Sequence, residues 1–238
     1  MSPALAWSGC LNARDLGGLP TADGGAIRSG ALSRSDSPHW LSDAGVRAVR
    51  SLPVARIVDL RSAAEAERDP SPFAGDPAYR LLPMIDPSRE HERDPDERSR
   101  AAIYIGSLRR NGHRIVAGVA AITDAPDGAV LVHCHEGKDR TGIVIALALA
   151  VAGVEPGAIA EDYALSAHCL QERYDADLAA LSGESEREWL RELQRTDPAT
   201  MLRFFEALDE QHGGTAAYLR AGGLTPEQLD RLRRRLLD

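Results

Sequence analysis

The run His133-Cys134-His135-Glu136-Gly137-Lys138-Asp139-Arg140-Thr141, followed by Gly142, lies between two apolar stretches and admits few local folds. Ala129-Val130-Leu131-Val132 leads in, and Ile143 to Val151 leads out. A short apolar run reads as a buried strand and the longer one as a helix. The polar residues between them must make a tight loop. Strand, loop and helix in succession aim backbone N–H groups at one point, at the positive end of a helix. A dianionic phosphate fits there.

The residue types in the loop suit phosphate-ester cleavage. Such cleavage by a cysteine needs a thiolate, which a helix N-terminus and nearby cations stabilise. Cys134 has Arg140, Lys138 and the expected helix start as neighbours and is the candidate nucleophile. Arg140 suits a planar, bidentate grip on a phosphoryl group. Gly137 permits a backbone conformation closed to residues with a Cβ. Thr141 is placed to hydrogen-bond the cysteine sulfur as it leaves. Lys138 adds a flexible charge for a second anionic group on the substrate. His135 and Glu136 complete the expected substrate-binding set, through backbone more than side chain. Taken singly, Cys134 also reads as an inert buried thiol and Arg140 as half of a surface ion pair. Those readings do not explain Cys, Gly, Arg and Thr together at this spacing.

From Cys134 to Arg140 the chain resembles the cysteine, five residues, arginine loop of the protein tyrosine phosphatase superfamily. The fuller string through Gly142 is similar to the bacterial tyrosine/serine phosphatase family. Other landmarks follow in that family's order: Asn12-Ala13-Arg14-Asp15-Leu16-Gly17-Gly18, Arg28 to Arg34, Ile57 to Ser62 with Glu65 and Glu67, Asp162 to Ser166, Tyr218-Leu219-Arg220, and Gly223-Leu224-Thr225. The resemblance implies a phosphatase-like α/β fold with a mostly parallel central sheet flanked by helices, and extra helices near the C-terminus. It implies hydrolysis of phosphate monoesters through a phosphocysteine, without cofactor or metal. The implied substrates are phosphotyrosine, phosphoserine or phosphothreonine in proteins, and phosphoinositides. In relatives, residues corresponding to 167–215 contribute helices that cover the active site as a lid. An ordinary packed helical hairpin is the alternative.

The leaving oxygen needs a proton, which a nearby carboxylic acid supplies. Asp139 lies in the loop, and Asp59 ends an expected strand from Ala55 to Leu60. The resemblance marks both positions and leaves their roles open. Asp139 has the edge, because the loop fixes its position relative to phosphate. The other readings are a structural carboxylate for Asp139 and an arginine ion pair for Asp59. The chain has no Trp-Pro-Asp acid loop. His133 is expected to bury its ring with one structural hydrogen bond. His133, Cys134 and His135 match no common zinc spacing, so no metal is expected. Arg14 and Asp15 read as a structural pair.

The length of 238 residues and 43% hydrophobic content suit a single domain over 1–238 with a real core. A net charge of −8 argues against a nucleic-acid binder, so the site must be a local positive spot. Cys10, Cys134 and Cys169 give no disulfide framework and suit a reducing compartment. No secretory signal is evident at Met1 to Cys10, and Ile143 to Val154 is too short to span a bilayer. Cytoplasm is the expected location, and some relatives are exported without a cleaved signal. Residues 86–100, with many charges and two prolines, read as a mobile surface loop. Ser42, Pro156, Asp197-Pro198 and Thr225 to Gln228 mark helix starts. Two rival functions share parts of this pattern. One is a rhodanese-like sulfurtransferase, and the other is a catalytically silent module that binds phosphorylated ligands.

Overall fold

The structure, a computed structural model, describes residues 2–237. Its strands are β1 (Arg14–Asp15), β2 (Leu32–Ser35), β3 (Val54–Asp59), β4 (Tyr79–Leu81) and β5 (Ala129–His133). They form one sheet in the order β1-β2-β5-β3-β4. Only the edge strand β1 runs antiparallel to its neighbour, β2. The mostly parallel sheet is thus as expected. β5 lies in the middle, and all five of its residues are buried. A central parallel strand is covered on both faces, which is why Ala129 to Val132 is continuously apolar.

Successive side chains of β5 serve different layers. Val130 and Val132 join the large core. Leu131 joins a smaller cluster with Trp7, Val49, Ile57 and Phe73 on the opposite face. The smaller cluster also takes Val46 and Val49 from α1 (Asp43–Arg50), whose N-cap Ser42 accepts from Gly45 N–H as its position suggested. α2 (Ala63–Arg68) follows β3 directly. The larger layer contains α3 (Arg100–Arg110), α4 (Gly112–Thr123), α5 (Asp139–Val151) and α6 (Pro156–Cys169). From Thr141 to Leu149 every residue of α5 is buried, so this helix is interior on all sides. Gly118 lets α4 approach it closely: a Cβ there would stand 3.2 Å from Val144.

The remaining helices are α7 (Gln171–Ala180), α8 (Glu184–Gln194), α9 (Pro198–His212), α10 (Thr215–Ala221) and α11 (Pro226–Leu237). The expected lid region of 167–215 divides between two environments. α7 buries only Tyr174, and α8 only Gln194. α9 instead places Met201, Phe204 and Leu208 at full burial in the core. Its apolar stripe makes it a core helix, so only α7 and α8 form an outer layer. Residues 86–100 also differ from the expected loop. Pro87–Glu92 forms a 3-10 helix, and Glu97 is anchored to buried Arg110 at 2.5 Å. Among the described residues, no helix is long and apolar enough to cross a membrane.

If α5 is the central core helix, Leu147→Ala should be costly, because Leu147 is fully buried. The expected loss is about 2–5 kcal/mol, which lowers Tm by several degrees up to roughly 20 °C in a domain this size. Calorimetry of the variant checks this, and a change below about 2 °C would contradict the packing described.

Candidate active site

β5 ends at His133, and α5 begins at Asp139. Each peptide carbonyl in the intervening loop has a partner. Cys134 O accepts from His133 Nδ1 at 3.2 Å, and His135 O from Ser37 N–H at 2.9 Å. Glu136 O accepts from Asn12 Nδ2 at 2.9 Å, and Gly137 O from Arg34 Nη2 at 2.6 Å. Lys138 O accepts from Gly142 N–H at 2.8 Å in the first turn of α5. A trans peptide points its N–H opposite to its C=O. With no cis bonds in the described chain, the N–H groups of His135 to Asp139 point away from those partners. Gly137 is required twice over: its φ is +67°, and a Cβ would stand 2.1 Å from Ser35 O.

Cys134 is 2% exposed at a cavity of about 300 Å³ that is lined also by Glu65, Arg68, His135, Glu136, Asp139 and Arg140. Arg140 is gripped at both Nη atoms by Glu65, at 2.6 and 2.8 Å. Glu65 is fixed in turn by a capping box with Ser62 at the start of α2. The bonds from Arg140 hold the Glu65 carboxyl down at about 2. Burial works against the Arg140 charge, but Glu65 outweighs it and keeps the guanidinium firmly protonated. Asp139 stands at the cavity edge, bonded by Arg100 Nη1 at 2.6 Å and Tyr104 Oη at 2.5 Å.

Asp59 is placed differently. It is fully buried, away from the cavity lining. Its oxygens accept from Arg61 Nη2 at 2.6 Å and Tyr79 Oη at 2.7 Å, with His133 Nε2 at 3.7 Å. Burial raises its pKa, but His133 and the bonds from Arg61 and Tyr79 outweigh this and lower it. A carboxylate so enclosed serves as the ion-pair anchor of the alternative reading. His133 is fully buried as expected, and burial lowers its pKa.

One side-chain expectation is overturned. Lys138 does not face the cavity. Its Nζ is buried and bonded to Leu193 O at 2.9 Å, Glu136 at 3.0 Å and Tyr174 Oη at 3.1 Å. The residue just before α5 projects sideways under α7 and α8, which capture the charge. Thr141 Oγ1 is buried with no hydrogen-bond partner at rest. His135 and Glu136 do line the cavity, and Glu136 also accepts from Tyr174 Oη at 3.1 Å. Arg14 and Asp15 are both structural but do not pair. Arg14 bonds Asp162 at 2.8 Å, while Asp15 accepts from the N–H groups of Gly17 and Gly30. All three cysteines are free thiols.

Sequence reasoning missed Glu65 as the partner of Arg140, Arg68 in the lining, and Arg100 and Tyr104 on Asp139. The Ser62-x-x-Glu65 capping box after a strand aimed at the loop was the available signal for Glu65. Nothing local to 100–104 points to a site 35 residues away.

Two of the carboxylates with lowered pKa set an acid limit. Glu65 is held at about 2 by Arg140. Asp162 is also held at about 2, because Arg14 and Arg34 outweigh its burial. Their ordinary values are 4.5 and 3.8, so below those values the unfolded chain binds more protons than the folded one. Stability from these groups is fully present above about pH 5 and is lost as pH falls through about 2. Urea midpoints should fall steadily from pH 5 to pH 2, and Glu65→Gln should flatten part of that slope. A wild-type midpoint independent of pH over this range would contradict the ion pairing.

The description "Tyrosine phosphatase family" matches residues 5–238. A tyrosine-protein phosphatase of Nostoc commune is 31% identical over 231 residues, covering 91% of this chain and 78% of the relative. The triple specificity protein phosphatase PtpB of Mycobacterium tuberculosis is 29% identical over 277 aligned positions, covering 96% of this chain and 97% of the relative. With that match over nearly its whole length, and with a free cysteine at the base of the loop, the chain belongs to the tyrosine phosphatase family.

Proposed function

We propose that Cys134 is the nucleophile of this cysteine-dependent phosphatase and that its principal substrates are phosphotyrosyl peptides. The observation that carries the reading is the loop itself, with held carbonyls and a clamped Arg140 around one buried thiol. The thiolate attacks phosphorus, and the P–O bond to the leaving group breaks. Loop N–H groups and Arg140 hold the equatorial oxygens as charge shifts. Asp139 gives its proton to the leaving oxygen, since it alone of the two candidate acids lines the cavity. Water then attacks the phosphocysteine, Asp139 takes its proton, and the sulfur leaves with the Thr141 hydroxyl as donor.

The rim supports an aryl ester. His135 stacks with His39 at a centroid distance of 6.0 Å and meets Trp40 edge-on at 6.5 Å. Trp40 is 43% exposed, and Arg173 from α7 lies 4.5 Å over its ring. An aromatic leaving group has a face to pack against there. Phosphoserine and phosphothreonine are second substrates, in line with the breadth implied by the mycobacterial relative's name. The phosphoinositide expectation rested on Lys138, whose charge is committed to α7 and α8. Those two helices are proposed as the cover of the site. Three free thiols suit a reducing compartment, and cytoplasm remains the proposed location.

Phosphate release from phosphotyrosine, phosphoserine and short-chain phosphoinositide substrates, with a chelator present, tests the reading. Wild type should turn over phosphotyrosine fastest, and Cys134→Ser should show no turnover. Well-folded wild type without release, or with thiosulfate:cyanide transfer instead, would return the rival readings. The acid assignment has its own signature. Asp139→Asn should lower kcat by about 10²-fold or more on substrates with poor leaving groups and less on activated aryl phosphates. Asp59→Asn should instead lower Tm, because it breaks a buried ion pair worth about 3–5 kcal/mol on removal of one partner. The reverse pattern would exchange the two roles.

A further inference from the structure

The N-terminal Asn12 and Arg14 are fully or almost fully buried and do not line the cavity, yet they connect to the phosphate loop from behind. Asn12 Nδ2 donates to Glu136 O at 2.9 Å. The Asn12 side-chain oxygen accepts from Arg14 Nη1. Arg14 Nε donates to Asp162 Oδ1 on α6 at 2.8 Å, and Asp162 Oδ2 accepts from Arg34 Nη1, also at 2.8 Å. Arg34 Nη2 then returns to the loop, donating to Gly137 O at 2.6 Å. The chain of bonds is closed: it leaves the loop at one carbonyl and rejoins it at the next.

The two carbonyls held in this way flank Gly137. Glycine accepts either sign of φ, so the peptide planes on its two sides are the ones freest to flip. A flip would replace an N–H with a carbonyl oxygen and repel phosphate. The other planes have holds outside the circuit: His135 O by Ser37 N–H, Cys134 O by the adjacent His133, and Lys138 O by the first turn of α5 at 2.8 Å, with Arg34 Nη2 a longer second donor at 3.3 Å. We propose that Asn12, Arg14, Asp162 and Arg34 act together as positioning residues, locking the Gly137 and Lys138 N–H groups toward the substrate phosphoryl group. Two guanidinium groups on one carboxylate also leave one positive charge behind the loop, which favours a bound dianion. Burying three charges is costly, and an apolar filling of the same space would serve stability as well or better. A role in orienting the loop accounts for that cost. The proposal rests on reading the loop as the phosphate site.

The test compares wild type with Asn12→Asp, Arg34→Ala and Arg34→Lys. Asn12→Asp keeps the shape of the side chain but puts an acceptor against Glu136 O. The measurements are Tm, the inhibition constant of orthovanadate, and kcat and KM on an aryl phosphate at 15 °C. Asn12→Asp and Arg34→Ala should each weaken vanadate inhibition at least tenfold and lower kcat/KM by roughly 10- to 100-fold in the folded protein. Arg34→Lys, which can reach Gly137 O or Asp162 but not both, should fall between. A purely structural role would lower Tm while vanadate inhibition stayed at the wild-type value, and that result would overturn the proposal. If Arg34→Ala does not fold, Asn12→Asp decides the matter. Wild type that neither hydrolyses phosphate esters nor binds vanadate would sink the phosphatase reading itself. Active wild type with unaffected variants would sink only the circuit.

Discussion

Contact between Gly137 and the backbone of Ser35 is the constraint on which the geometry of the site depends. A Cβ at 137 would stand 2.1 Å from Ser35 O, and φ there is +67°. The loop is therefore pressed onto the end of β2, whose Ser35 pairs with His133 on β5. That seat decides where the chain can go next. With its floor on β2, the loop can only rise into α5, and α5 must then run through the middle of the larger core. Cys134 at the start of the reversal and Arg140 at its end face the same cavity for this reason. One glycine position thus couples strand pairing, helix placement and site geometry.

The charges around this seat are arranged in advance of any substrate. Arg140 is clamped by Glu65, Arg100 holds Asp139, Lys138 lies against Glu136, and two arginines share Asp162. Each cation near the loop already has a carboxylate, which suits a chain with a net charge of −8. Phosphate would then be recognised mainly by fixed dipoles and by an arginine whose orientation is preset. Preset groups need no reorganisation when charge moves in the transition state. The bidentate Glu65 grip is the clearest case, since it holds the plane of the guanidinium as well as its position.

Legibility from sequence followed the range of the interactions involved. The strand, loop and helix were readable because 129–151 carries its own hydrophobic pattern and its own glycine. Helix starts at Ser42 and Thr225 were readable because capping is local: Thr225 Oγ1 accepts from Gln228 N–H at 3.2 Å. The direction of Lys138 was not readable. Its captors, Tyr174 and the carbonyl of Leu193, lie far along the chain, and no local rule reports them. The sequence placed Met201, Phe205 and Leu208 on a helix starting at Asp197-Pro198, yet that helix was left inside the expected lid region of 167–215. The buried stripe of Met201, Phe204, Phe205 and Leu208 carries the helical period and was the better guide. Asp139 was preferred to Asp59 for its place in the loop, but the burial of Asp59 away from the cavity could not be read in advance, because burial is a property of the whole fold.

Buried polar atoms without partners gather around the same loop: Arg34 Nε, His133 Nε2, His135 Nδ1 and Thr141 Oγ1. An unsatisfied buried group costs about 1–3 kcal/mol, and the apolar packing of α5 must offset it. The Thr141 hydroxyl gives this cost a direction. At rest it has no acceptor beside it. On the proposed mechanism the departing sulfur takes up negative charge and becomes the acceptor that the hydroxyl lacks. The penalty is then present in the phosphocysteine intermediate and relieved in the step that frees the thiolate. An interaction stronger in the transition state than in the ground state is the kind that accelerates a reaction. A hydroxyl already satisfied by a backbone carbonyl would be more stable and would contribute less to that step.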